Sequence, residues 1–106
     1  MQIHITFRHM DATDALKTHV NDKSERLKKF APTSAEGHWV LFVEADSHVA
    51  ELRVTGPHTD VFAQAKTIDM YQSIEDAVGK VEKQLRKQKE IVKDHLHRQR
   101  HDHDAE

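Results

Sequence analysis

The residues with most chemistry in them are cations at helical spacing. Lys80, Lys83, Arg86, Lys87 and Lys89 fall within one short stretch, and Lys23 and Arg26 stand three apart in an earlier one. Lysine offers phosphate oxygens a point charge, and arginine offers them a planar fork. If the two stretches are helices on one side of a sheet, these seven side chains can combine into one positive groove. A solvated charged face is the plainer reading of the same pattern. Aromatic residues make up only 6% of the chain and mostly follow the apolar pattern, which disfavours a sheet that stacks bases. Such a surface suits a folded RNA recognised by shape and backbone.

The other reactive side chains are less organised. Four of the ten histidines, His95, His97, His101 and His103, crowd the end of the chain. His97 and His101 have the i, i+4 spacing of a metal pair. A solvated tail that gains charge as pH falls toward about 6 accounts for them more simply. His4, His9, His19, His38, His48 and His58 are scattered and read as surface residues, so no metal site is expected. Serine, histidine and aspartate occur, but no Gly-x-Ser-x-Gly, glycine-rich phosphate loop or HExxH accompanies them. We expect neither an enzyme nor a cofactor.

Regular elements must position the cations. From Asp69 to Lys93, Ile74, Val78, Val81, Leu85 and Val92 recur at steps of four, three, four and seven. At about 100° per residue they form one narrow stripe. Asp69 can cap the first free N–H groups. The helix would be roughly 37 Å long, more than a compact domain of this size requires. Lys80, Lys83 and Lys87 fall opposite the stripe, with Arg86 and Lys93 on one flank. An earlier helix, capped by Asp11 or Thr13, runs to about Lys29. Ala12, Leu16, Val20, Leu27 and Phe30 share its apolar side, and Pro32 ends it.

The rest reads as strands. Gln2–Phe7 alternates, with Ile3, Ile5 and Phe7 to one side. His38–Ala45 is a dense apolar run without clean alternation. Ala50–Thr55 and Val61–Lys66 alternate again, joined by short turns at Asp46-Ser47-His48 and Gly56-Pro57-His58. Inward alanines in the last strand suggest a helix packed close over it. The order β-α-β-β-β-α implies an α+β single domain: a four-stranded sheet with two helices packed on one face. Residues 1–95 are expected to form this domain and 96–106 a polar, disordered tail.

Composition sets bounds. A chain of 106 residues is one domain at most. It has no cysteine, which removes disulfides, thiolate metal sites and cysteine nucleophiles. No signal peptide is legible at the start, and no apolar run approaches the roughly 20 residues of a membrane span. A soluble, cytoplasmic protein is expected. The net charge of −2 conceals a net +5 over residues 79–100, against −4 over 1–78 and −3 over the last six. A concentrated basic helix on a near-neutral chain suggests a local polyanion contact.

Four pieces of sequence carry a resemblance. They are M-Q-I-x-I-T-x-R at the start, T-D-A-L-K-x-x-V-x-x-K-x-x-R-L at 13–27, D-M-Y-x-x-I-E at 69–75 and K-V-E-K-Q-L-R-K-Q-K at 80–89. Together they are similar to the short ribosome hibernation promoting factors, also called ribosome-associated inhibitor or sigma-54 modulation proteins, over roughly residues 1–95. The resemblance implies binding to the small ribosomal subunit between head and body, across the path of mRNA and the tRNA anticodon ends. Translation would be blocked without chemistry. It assigns Arg8, Lys23, Arg26, Lys80, Lys83, Arg86, Lys87 and Lys89 to 16S rRNA phosphates, Asp69 to the cap and Tyr71 to packing or helix orientation. It implies no cofactor, membrane or small-molecule substrate, and a monomer off the ribosome.

Phe7 stands where the family commonly has glycine, Ser24 replaces a usual apolar residue, and the first hairpin looks short. The further domain of the family's long members is not expected here. Short subtypes that assist and that prevent ribosome dimers both remain compatible. The alternatives outside this family are a double-stranded RNA binder, a protein-interaction module that modulates a transcription factor, and a metal-buffering tail.

Overall fold

The computed structural model describes the backbone over residues 1–105 and the side chains over residues 1–89. The order is β1 (Gln2–Arg8), α1 (Asp14–Ser24), a 3-10 helix (Glu25–Lys29), β2 (Glu36–Glu44), β3 (Ser47–Gly56), β4 (Thr59–Thr67) and α2 (Met70–Ala105). The strands lie in the order β1-β2-β3-β4. The strands β2, β3 and β4, joined by short turns, run antiparallel, whereas β1 pairs with β2 in parallel. The α1 crossover explains this, because it carries the chain back to the starting end of the sheet before β2 begins. The dense run in β2 is accordingly a central strand. Its Gly37, Trp39 and Leu41 are buried while His38 is exposed.

The core lies between the sheet and the helices. Leu16, Val20 and Leu27 come from α1 and the 3-10 helix, Trp39, Leu41, Leu52 and Val54 from the central strands, and Ile74, Val78, Val81 and Leu85 from α2. Each fully buried aliphatic side chain contributes roughly 1.5–3 kcal/mol. Ala63 and Ala65 of β4 are buried beneath α2, as inward alanines require for close packing.

Three local features set how the helices sit. The Thr13 Oγ1 accepts from the Leu16 N–H at 3.2 Å, which makes Thr13 the cap of α1. The helix expected to reach Lys29 is α-helical only to Ser24 and then tightens to 3-10. Ser24 is buried at that change, and its Oγ accepts the Trp39 Nε1–H at 3.1 Å. A polar residue in an apolar position is thereby satisfied, and it pins α1 to the sheet. At the start of α2, the Asp69 Oδ1 accepts from the Tyr71 N–H at 3.2 Å, as a cap should. The buried Ser73 Oγ donates to the His48 carbonyl at 2.7 Å and ties that first turn to β3.

Helix α2 continues to Ala105, past the end at Lys93 that the apolar stripe gives. No glycine or proline after Gly79 interrupts it. Loss of an apolar stripe removes packing but not the backbone hydrogen bonds that propagate a helix. Val92, Lys93 and the His-rich stretch expected as a separate tail lie outside the residues whose side chains are described.

Candidate nucleic-acid interface

Helices α1 and α2 run side by side in the same direction, and their seam is a ladder of paired side chains. The His19 ring meets the edge of Tyr71 with centroids 4.9 Å apart. One step along, Lys23 Nζ lies 3.0 Å from Glu75 Oε1. The Arg26 guanidinium then forks onto the Glu82 carboxylate, with Nε and Nη2 each donating at 3.4 Å. At the last rung the Arg86 guanidinium carbon sits 5.8 Å from the centroid of the Phe30 ring. The rungs advance by four, three and four residues on one side, and by four, seven and four on the other, so each helix contributes a single stripe. Lys23 holds the Glu75 carboxyl below its ordinary range, first through their hydrogen bond and then through its charge, with His19 and Arg26 adding smaller effects.

The other side of α2 is built differently. Lys80 Nζ donates to the Gln64 carbonyl at 2.8 Å, and Gln84 Nε2 donates to the Phe62 carbonyl at 2.8 Å. These carbonyls belong to β4, the edge strand, so two side chains one turn apart cover backbone acceptors that would otherwise invite another strand. Lys83 and Lys87 line the same shallow hollow with Ala63. Among the described residues, neither has a carboxylate within salt-bridge distance. Lys83 and Lys87 are exposed. They present a pair of ammonium groups to solvent one helical turn apart.

The single groove that sequence spacing implied is therefore divided. Glu75 and Glu82 face α1 and draw Lys23 and Arg26 into the seam, so these two cations are partly neutralised. Lys80, Lys83 and Lys87 stand toward β4, and Arg86 stands toward α1. Lys89 sits farther along α2, near the Pro57-His58 turn. Arg8 is exposed at the opposite end of the molecule, in register with Phe42. The structure brings together Arg26 and Arg86 on one side of α2 and Lys80, Lys83 and Lys87 on the other. It leaves Arg8 apart from both.

Comparison with known proteins bears on what these surfaces serve. Residues 3–93 match the family described as sigma 54 modulation protein / S30EA ribosomal protein. The chain belongs to this family. The ribosome hibernation promoting factor of Escherichia coli is 30% identical over 95 residues, covering 90% of this chain and all of that one. The ribosome-associated factor Y of Haemophilus influenzae is 30% identical, covering 82% of this chain and 81% of that one. Among solved structures, the N-terminal domain of Thermus thermophilus Protein Y superposes with a TM-score of 0.75 at 27% identity, covering 82% of this chain and 98% of that one. A ribosomal subunit interface protein from Coxiella burnetii gives 0.73 at 26% identity, covering 84% and 98%. The fold expected of the family is thus the fold found, and ribosome association is the family's common theme.

Within this S30EA-type fold, sequence reasoning missed the acidic partners. Glu75 and Glu82 lie seven apart on α2, and Lys23 of α1 and Arg26 of the 3-10 helix lie three apart. Seven and three residues are each near a whole number of helical turns, so both pairs present one stripe. That spacing was the available signal. Phe30 and Pro57, which line an open hollow beside Lys29 and Lys89, were also missed as surface features, since each reads as core or turn when taken alone. The resemblance assigns Tyr71 to packing, and its edge contact with His19 is such a role.

Proposed function

We propose that residues 1–95 bind the small ribosomal subunit in the decoding channel through phosphates of 16S rRNA. There they block mRNA and tRNA and hold idle ribosomes inactive. The observation that carries this reading is the exposed lysine face of α2 in a chain of the S30EA family. Lys83 and Lys87 have no acidic partner among the described residues, so their charge is available to an external polyanion. Arg86 sits on the adjoining side, where its guanidinium carbon lies 5.8 Å from the Phe30 ring centroid. The names of the relatives, hibernation promoting factor and subunit interface protein, agree with a ribosomal target.

The mechanism is occupancy. A rigid two-layer body inserts a helix studded with cations into an RNA-walled channel, and the site is filled without bond making or breaking. No helix among the described residues is long and apolar enough to cross a membrane. On this reading the protein acts in the cytoplasm, on the ribosome, and is monomeric when released. Arg8, Lys23, Arg26, Lys80 and Lys89 supplement the central contact. Lys23 and Arg26 do so more weakly, because each shares its charge with a glutamate.

Co-sedimentation tests this directly. Reversing Lys83, Arg86 and Lys87 to glutamate together should remove the protein from 30S and 70S fractions at moderate salt while the amide spectrum stays folded. Retention of the triple variant in those fractions would refute the assignment of the α2 face.

A further inference from the structure

The seam between the helices ends in a cavity of a different character. The groove itself is walled by Arg26, Lys29, Phe30, Glu82 and Arg86. This cavity, an open hollow of about 550 Å³, shares Lys29 and Phe30 with it and adds Pro32, Pro57, Leu85 and Lys89. Among the described residues, carboxylates line the groove but not the hollow, whose described charged groups are Lys29 and Lys89. One wall is a fixed turn: His58 is held at φ 54, and the Thr59 Oγ1 donates to the Pro57 carbonyl at 3.0 Å. The opposite wall is α2.

We infer that this cavity takes the base of one unpaired nucleotide of the bound RNA, with the attached phosphate held by Lys29 and Lys89. The inference rests on the RNA-binding reading above and deepens it. A flat ring gains from leaving water against Phe30, the two prolines and Leu85. A purely apolar partner would leave the two ammonium groups without use, and a bare phosphate would leave the apolar lining without use. A nucleotide joins an apolar disc to an anion at short range and satisfies both. The cavity also continues the seam through a shared Phe30 ring, which carries Arg86 on the groove side. An RNA backbone passing Arg86 would thus reach the cavity within the same contact. The lysine face of α2 then supplies charge, and this hollow supplies an apolar surface for a base.

The experiment uses the full chain and a plug at an exposed position. Gln88 lines the cavity from the surface of α2. Gln88→Trp should fill it without touching the core, and an unchanged amide spectrum elsewhere verifies the fold. Three probes are titrated by NMR: adenosine 5′-monophosphate, ribose 5-phosphate and the peptide Asp-Phe-Asp. Adenosine 5′-monophosphate should shift the amides of Ala31, Thr59 and Gln88 in the wild type and leave Gln88→Trp unmoved, while ribose 5-phosphate and the peptide have little effect. On 30S particles the plug should weaken binding by about tenfold, the scale of removing one stacked base.

Equal shifts with ribose 5-phosphate would overturn the inference, because the base would then contribute nothing. A stronger response to the peptide would overturn it in favour of a protein partner. No shift with adenosine 5′-monophosphate, or a plugged variant that binds 30S as tightly as wild type, would overturn it as well. Failure of the wild type itself to bind 30S would count against the ribosomal reading instead, and the titrations would still decide the cavity.

Discussion

The two sides of α2 carry the same residue types and use them in different ways. Toward α1, Lys23 and Arg26 meet Glu75 and Glu82, and the charges close on one another. Toward β4, Lys80 caps the sheet edge, while Lys83 and Lys87 face solvent with no acidic partner among the described residues. A count of cations does not separate these roles. The neighbouring element does: a helix bearing glutamates turns lysine into a structural tie, and a strand edge offering carbonyls turns the next lysine into a cap. On the proposed reading, the cations that neither neighbour claims carry most of the contact with RNA.

Substitutions can break this contrast. The largest effect on stability should come from Ser24→Ala, which leaves the Trp39 Nε1–H buried without an acceptor and loosens α1 beneath the seam. A cost of roughly 1–3 kcal/mol is expected from chemical denaturation. Ribosome binding by the fraction that remains folded should be nearly unchanged.

Charge reversal comes next. Arg26→Glu sets a carboxylate against Glu82 in a half-exposed seam and should cost about 1 kcal/mol, discounted for solvent screening. Lys83→Glu, on the open side, should change stability by less than about 0.5 kcal/mol. Equal costs at the two sites would erase the structural side of the comparison.

Gly79 lies within α2, where an added Cβ meets nothing within 4 Å. Gly79→Ala should stabilise the protein by about 0.5–1 kcal/mol through helix propensity and a less flexible unfolded chain. A raised melting temperature with unaltered 30S affinity is the expected readout.

The smallest effect concerns pH. Glu75 has a lowered pKa in the folded chain, chiefly because of Lys23. A carboxyl depressed on folding adds stability at pH values above its unfolded pKa and loses it as pH falls through the folded one. Denaturation of wild type and Glu75→Gln should therefore differ at neutral pH and converge in acid, below the ordinary glutamate range.

Much of the fold was legible in the sequence because periodicity reports burial directly. The α2 stripe of Ile74, Val78, Val81 and Leu85 is buried as its spacing requires, and the inward alanines of β4 lie under that helix. Parallel pairing of β1 was not legible, since alternation says which face is buried but not which neighbour a strand takes. The central position of β2 was masked by Val40, Phe42 and Val43, which are apolar yet half-buried. The end of α2 was misplaced because a stripe marks packing and a helix outlasts its packing. In the candidate site, the cations were legible by type. Their partners were not, because Lys23–Glu75 and Arg26–Glu82 join residues more than fifty positions apart. The cap by Lys80 depends on a strand edge that only the assembled sheet defines.

The salt dependence of 30S binding tests the division most directly. Each phosphate that a side chain no longer neutralises should lower the slope of log K against log salt by about one. Lys83→Ala with Lys87→Ala should flatten that slope by about two. Lys23→Ala with Arg26→Ala should flatten it by much less, because those charges are already met by Glu75 and Glu82. Equal flattening by both pairs, or a larger flattening from the seam pair, would contradict the account.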